Sequence, residues 1–294
     1  MARSRREEQV PHGPLHLVLV IATLVTIYPV LWVVTIAFSG KQSLAIADLP
    51  TNPTFFDRLR AVIPWPQQWS FSNFVSVMTD QPFGWWLLNS IIVAAFTTLV
   101  GVFLSCTAAY AFSRFKFPGR RVGMMSFLVS QMFPGTLMLI PLYIIIVQVL
   151  HLGSTRIGLV IVYATTSIPF SVWMLKGYFD TIPKELEEAA LIEGASAGQI
   201  FWRIVLPLAK PAVAITALFS FMSAWNEFIL AATFMDQENM YTAPVGLRFF
   251  VGGFSQQWGY FAAGSIIVSI PVVFLFLYLQ KYLVSGLTAG SVKG

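Results

Sequence analysis

Charge is scarce in this chain. Of its 294 residues only 11% are Asp, Glu, Lys or Arg while 56% are hydrophobic, whereas a soluble domain carries roughly 25% charged residues. With a mean hydropathy of +0.73, the composition excludes a soluble globular domain and implies an integral membrane protein. Cysteine is nearly absent: Cys106 stands alone, which rules out a disulfide framework or a Cys-based metal site within one chain. His12, His16 and His151 are scattered, with no His-Glu-x-x-His or other ligand spacing, and this argues against a metalloenzyme. No Gly-x-x-x-x-Gly-Lys-Ser/Thr run occurs, so the chain has no phosphate-cradling loop and must borrow its energy. A nucleophile–base constellation is missing too, which disfavours an intramembrane enzyme.

What is present is a series of long apolar runs. A helix needs about 20 predominantly apolar residues to cross a bilayer, and six segments qualify: 15–38, 83–112, 122–147, 157–176, 212–234 and 260–283. The expected fold is therefore all-α and polytopic, with six transmembrane helices. Pro134, Pro141, Pro169 and Pro271 fall inside these spans, where neighbouring helices can satisfy the freed carbonyls. The expected organisation is a cytoplasmic segment 1–14, a membrane domain 15–284 with a long outer loop 39–82 and core spans within 83–284, and a tail 285–294. Arg3, Arg5 and Arg6 precede an apolar run too long for a signal-peptide core and without a small-residue cleavage site, so the first span is read as retained.

Lys and Arg placement sets the orientation. With the amino terminus cytoplasmic, the inner segments hold Arg3, Arg5, Arg6, Arg114, Lys116, Arg120, Arg121, Lys176, Lys184, Arg203, Lys210, Lys281 and Lys293, 13 of the 18 basic residues. The outer segments hold Lys41, Arg58, Arg60, Arg156 and Arg248. Positive charge favours the inside, so both termini are expected in the cytoplasm. The net charge of +5 is then a topology signal that needs no nucleic-acid partner.

Between the fourth and fifth spans lies a polar stretch, 178–211, that reads as a helix-turn-helix. Thr181 suits a helix cap, Pro183 its first turn, and Glu185, Glu187 and Glu188 lie where the helix dipole favours negative charge. Gly194 fits the left-handed residue that ends such a helix, and Ser196 to Gln199 has capping-box spacing for a second helix that Pro207 would terminate. Leu186, Ala189, Ala190 and Glu193 fall three and four apart, a narrow face suited to entering a partner's groove. An ordinary solvated hairpin is the plainer alternative.

The stretch also reads Glu188-Ala189-Ala190, three residues, Gly194, nine residues, Ile204, one residue, Leu206-Pro207. All seven fixed positions resemble the EAA loop by which permeases of binding-protein-dependent ABC importers dock on their ATPase. Beyond the loop, the end Gly286-Leu287-Thr288-Ala289-Gly290-Ser291-Val292-Lys293-Gly294 and the corner Phe115-x-Phe117-Pro118-Gly119-Arg120 resemble the MalG-type permeases of maltose, maltodextrin and trehalose importers. The resemblance implies a type I importer permease with a MetI-like core, non-catalytic itself, working with a second permease subunit, an ATPase dimer that binds ATP and Mg, and an extracytoplasmic sugar-binding protein. This chain would bind no cofactor. Glu188 would pair with a basic ATPase side chain, Gly194 would permit the turn, and Leu206-Pro207 would aim the chain into the fifth span. The tail residues Thr288, Gly290, Ser291, Val292, Lys293 and Gly294 would reach between the ATPases as a slim, flexible end.

Other candidates rest on residue chemistry. Glu227, beside Asn226 in the fifth span, is the most expensive intramembrane residue, and it is expected either at the pathway or permease interface or in a buried structural hydrogen bond. Gln131, Tyr163 and Thr165, with Asn89, Thr166 and Ser167, are further candidates for a sugar route, or ordinary helix-packing residues. In the outer connection 235–258, Phe249, Phe250 and Phe254 flank Gly252-Gly253, and the resemblance makes this the loop that touches the binding protein. A membrane aromatic belt is the competing reading. An ion-coupled carrier remains an alternative, although it would be expected to hold several intramembrane acids or an inverted repeat, and so does an ABC permease for another small polar solute.

Overall fold

The computed structural model describes residues 12–46, 48–253 and 256–291, and every regular element among them is helical. In chain order these are α1 (His12–Ala37), α2 (Phe55–Ala61), α3 (Ser72–Thr79), α4 (Phe83–Arg114), α5 (Arg120–Met132) and α6 (Gly135–Tyr143), which continues as a π-helical turn, Ile144–Val149. Then follow α7 (Arg156–Phe179), α8 (Glu185–Ile192), α9 (Ala197–Ile200), a second π-helical turn (Phe201–Val205), α10 (Leu206–Leu208) and α11 (Lys210–Asn226). The last are α12 (Ile229–Phe234), α13 (Ala243–Phe249) and α14 (Trp258–Ser291).

Four helices are long and apolar enough to cross a membrane alone: α1, α4, α7 and α14. The count reaches six if each of two sharply bent helix pairs is taken as one span. Segment 122–147 is therefore not one helix, because α5 and α6 meet at a 102° bend. The cause is Pro134, which forces Phe133 into an extended conformation (ψ 130°) by clashing with its backbone. Segment 212–234 is broken as well. Here α11 ends at Asn226, Glu227 is extended (ψ 125°), and α12 restarts at Ile229.

The chain forms two compact units. The first comprises residues 1–81 and 248–267, and within it Asn73, 1% exposed, donates from Nδ2 to the carbonyl of Ala37 at 3.1 Å. Gln42 in turn donates to Asn73 Oδ1 at 2.8 Å, so the end of α1 is tied to α3. The second unit, 82–247 and 268–294, is built on α4, which packs on α7 and α11. Its contact face is small and polar. Gly101 faces Ser167 and Ser220, and a Cβ there would make ordinary contact with their Oγ atoms at 3.4 and 3.6 Å. Two apolar clusters bracket this seam, one around Tyr110, Val172, Phe179 and Phe201, the other around Val93, Val162, Trp225 and Phe234.

Candidate functional site

The 178–211 stretch folds as two short helices on a tight turn. Helix α8 starts at Glu185 and carries Glu185, Glu187 and Glu188 in its first turn, where unpaired N–H groups favour carboxylates. Thr181 does not cap it: its hydroxyl donates back to the Tyr178 carbonyl at 2.7 Å, one turn too early. Gly194 is left-handed at φ +86° with nothing within 4 Å of an added Cβ, so conformation alone requires glycine there. Ser196 accepts from the Gln199 N–H at 3.3 Å while its own N–H donates to Gln199 Oε1 at 2.8 Å. The capping box opens α9. Pro207 does not terminate the helical path, which runs one residue further to Leu208; the π-helical turn before it leaves room for a residue without an N–H.

This geometry divides the seven motif positions. Ala190 is buried in the Tyr110 cluster, and Ile204 and Leu206 pack on it, whereas Glu188, Ala189, Gly194 and Pro207 lie at the surface. Ala190 therefore does not share the outward face of Leu186, Ala189 and Glu193, because the helix turns it toward α4. Beside that face Leu191 and Ile192 are 56% and 89% exposed, an apolar surface that asks for a partner.

Glu187, which the sequence marks only as a first-turn acid, holds α8 in place. Glu187, 8% exposed, accepts from Arg114 Nε at 2.5 Å and from the Tyr110 hydroxyl at 3.1 Å. Arg114 also donates to the Ile182 carbonyl at 3.1 Å and to Ser113 Oγ at 2.9 Å. Ser113 then donates to Asp180 at 2.6 Å, where Lys176 donates as well. At Asp180, burial pushes the carboxyl's pKa up, but hydrogen bonds from Lys176 and Ser113 and the charges of Lys176 and Arg114 outweigh it and hold it below 3.8. The signal was available, in an Arg at the end of one span and an unpaired-looking acid beside Glu188.

A cavity of about 1000 Å³ opens where α5 and α6 bend, lined by Gln131, Thr165, Thr166 and Glu227 among mostly apolar side chains. The structure thus brings four of the route candidates together. Tyr163 stands behind them, donating to Glu227 Oε2 at 2.9 Å. The Glu227 carboxylate also accepts from the Leu230 and Ala231 N–H groups at 2.9 and 3.0 Å, so it caps α12 from the break in the span. Asn226 is exposed and donates to the Met222 carbonyl. Asn89 does not line this cavity. It is fully buried, its Nδ2 donating to the carbonyls of Asn239 and Tyr241 and its Oδ1 accepting from Arg156. Ser167 is likewise buried and bonded to the Ala164 carbonyl.

In the outer connection Phe249 is 55% exposed but Phe250 only 2%, its ring edge-on to Tyr260 at 6.0 Å. Phe250 is thus a packing residue, and Phe249 is the ring at the surface. Gly252 and Gly253 follow it in a turn, while Phe254 lies outside the described residues. At the carboxyl end α14 continues through Thr288, Gly290 and Ser291. Of the end expected to be flexible from Thr288 to Gly294, residues 288–291 are helical instead, since an established helix propagates through single glycines at about 1 kcal/mol each. Val292, Lys293 and Gly294 lie outside the described residues.

A bent-helix membrane core carrying a two-helix surface loop is the architecture of an importer permease, and the comparisons agree. Residues 101–289 match the family described as binding-protein-dependent transport system inner membrane component, and the chain belongs to it. It is thus a non-catalytic, multi-pass inner-membrane component of an ABC transporter. The chain is 35% identical to the maltodextrin transport system permease protein MalD of Streptococcus pneumoniae, over 95% of this chain and 94% of that one. It is 36% identical to the galactooligosaccharides transport system permease protein GanQ of Bacillus subtilis, again over 95% and 94%. In fold it is similar to a chain in the crystal structure of a bacterial ABC transporter involved in the import of the acidic polysaccharide alginate, with a TM-score of 0.76 at 23% identity, covering 96% of this chain and 99% of that one.

Proposed function

We propose that this chain forms half of the translocation pathway of an ATP-driven importer of di- or oligosaccharides, of the maltose, maltodextrin or trehalose class. Its partners are a second permease subunit, an ATPase dimer that supplies ATP and Mg, and an extracytoplasmic sugar-binding protein. The observation that carries the reading is the two-sidedness of α8: Glu187 and Ala190 are buried in the chain's own core while Glu188, Ala189, Leu191 and Ile192 face outward. That is how a helix built to be gripped from one side looks. The relatives' named substrates, maltodextrin and galactooligosaccharides, support a sugar cargo. The excess of Lys and Arg in the inner segments supports cytoplasmic termini.

In this reading ATP binding closes the ATPase dimer, α8 moves with it as a rigid body, and the pathway opens outward to take sugar from the docked binding protein. Gln131, Thr165, Thr166 and Glu227 offer polar contacts along one wall of the route. Phe249 contacts the binding protein, and the tail from Thr288 to Gly294 reaches the ATPases. Nothing favours an ion-coupled carrier, because the one acid of the cavity is engaged in capping α12. The test is Glu188→Lys, which reverses charge at an exposed site outside the lipid. Sugar uptake and ATPase co-purification should collapse while membrane insertion stays intact; normal uptake with normal co-purification sinks the assignment.

A further inference from the structure

Helices α4 and α7 run side by side in the same direction and are pinned together at both ends. At the first end Arg156 Nε donates to Asn89 Oδ1 at 2.8 Å. At the other, Ser113 Oγ donates to Asp180 Oδ1 at 2.6 Å. Each end also grips a connecting segment. Near its start α4 holds the outer connection, through Trp86 Nε1 to the Glu238 carbonyl at 2.8 Å, Asn89 Nδ2 to the Asn239 and Tyr241 carbonyls, and the Ala243 N–H to Ser90 Oγ at 2.8 Å. Near its finish it holds α8, through Arg114 and Tyr110 on Glu187. The helix that bears both grips, α4, is unbroken over its 32 residues, about 48 Å at 1.5 Å per residue.

Two other paths from outside to inside are broken. The route through α5 and α6 turns by 102° at Pro134, and that through α12 and α11 is interrupted at Glu227. A bent or interrupted helix absorbs displacement at its joint, whereas two unbroken helices pinned together at both ends pass it on. The polar character of the pins matters too. Asn89 and Trp86 are fully buried, and Arg114 and Glu187 have side chains only 7% and 10% exposed, so any sliding would strand charges and amides without partners.

We propose that α4 and α7 form a beam that carries displacement between the outer connection and the ATPase-docking helix, with Asn89–Arg156 and Ser113–Asp180 as its pins and Arg114–Glu187 as its grip on that helix. This rests on the proposed docking role of α8. Arg114 and Asn89 are positioning residues: neither meets sugar, nucleotide or partner, and both act by denying the beam any slack.

The test uses the whole complex in nanodiscs and reads ATP hydrolysis with and without binding protein loaded with maltotriose. Asn89→Ala and Arg114→Gln should each leave assembly and basal hydrolysis unchanged and lower the stimulation by about fivefold or more, the lower end of ordinary coupling factors. The double variant should be no worse than the worse single, because a beam cut once no longer transmits. Exchanging the charges, Arg114→Glu with Glu187→Arg, should restore part of the stimulation. Full stimulation in both single variants, or losses that multiply in the double, overturns the beam. Where Arg114→Gln does not assemble, Ser113→Ala loosens the same end without stranding a charge and carries the same expectation. If the wild-type complex assembles but maltotriose does not stimulate it, the sugar assignment fails and the beam is read without sugar. ATP with vanadate then closes the ATPase, and a fluorophore on Gln237→Cys in the outer connection should respond in the wild type and fall silent in Arg114→Gln. A response kept in that variant refutes the beam.

Discussion

Tyr163 donates its hydroxyl to Glu227 Oε2 at 2.9 Å, joining α7 to the point where the fifth span is broken. The same carboxylate accepts two backbone N–H groups at the start of α12, so it satisfies donors that the break would otherwise leave bare inside the membrane. Glu227→Ala should lose the cap, worth about 0.5–2 kcal/mol, and strand the Tyr163 hydroxyl for about 1–3 kcal/mol more. Tyr163→Phe leaves the carboxylate its two backbone donors and should cost about 1 kcal/mol. Thermal unfolding in nanodiscs should rank wild type above Tyr163→Phe above Glu227→Ala. A Glu227→Ala variant that is as stable as wild type yet transports nothing would show that the carboxylate serves the cargo and not the helix.

Asp180 makes the link between α7 and the loop that carries α8 sensitive to acid. Its pKa in the folded chain lies below 3.8, the value of a free aspartate, so the folded state favours the charged form. Its contribution is therefore present above about pH 4 and is lost as pH falls through the lower folded value. The carboxylate side chain is 43% exposed, so solvent screening keeps the effect small. Amide exchange over 176–192 should be pH-independent beyond its intrinsic rate from pH 7 to 5 and speed up below 4, whereas Asp180→Asn should show the faster exchange already at pH 7. Equal protection in the two chains at neutral pH would remove Asp180 from the link.

Phe249 and Phe250 separate two explanations of the aromatic outer loop. Phe250→Ala empties a buried site and should cost about 3–5 kcal/mol of stability. Phe249→Ser removes an exposed ring and should leave stability within about 0.5 kcal/mol, yet weaken stimulation by sugar-loaded binding protein. Unchanged stimulation across a titration of binding protein would favour a membrane belt instead.

The sequence was informative where periodicity or a fixed turn geometry carries the signal. Gly194, the Ser196–Gln199 box and the apolar runs of α1, α4, α7 and α14 were all legible, because each depends on a few adjacent residues. What escaped was set by contacts distant in the chain. The Arg114–Glu187 pair spans 73 residues and the Asn89–Asn239 bond 150, and neither has a local pattern. Pro134 looks tolerable within a span although it breaks one, since the outcome depends on whether a neighbouring helix is placed to satisfy the freed carbonyls. Phe250 and Phe249 are adjacent and chemically identical, and only tertiary packing tells which one faces out.

Gly246 offers the sharpest test of the packing at the outer end of α4. A Cβ there would lie 2.0 Å from Trp86 Cε3, and Trp86 is fully buried, so the ring has nowhere to go. Gly246→Ala must therefore lift α13 away from α4 or displace the indole, and either change breaks the Trp86 bond to the Glu238 carbonyl. Overpacking of this kind costs about 1–3 kcal/mol, occasionally more, so a lower yield and an earlier melting transition are expected. Trp86→Phe in the same chain removes part of the obstacle and should recover some of that loss, though not the bond to Glu238. If Gly246→Ala folds and melts like wild type, the close contact between α13 and the Trp86 ring does not exist in the membrane.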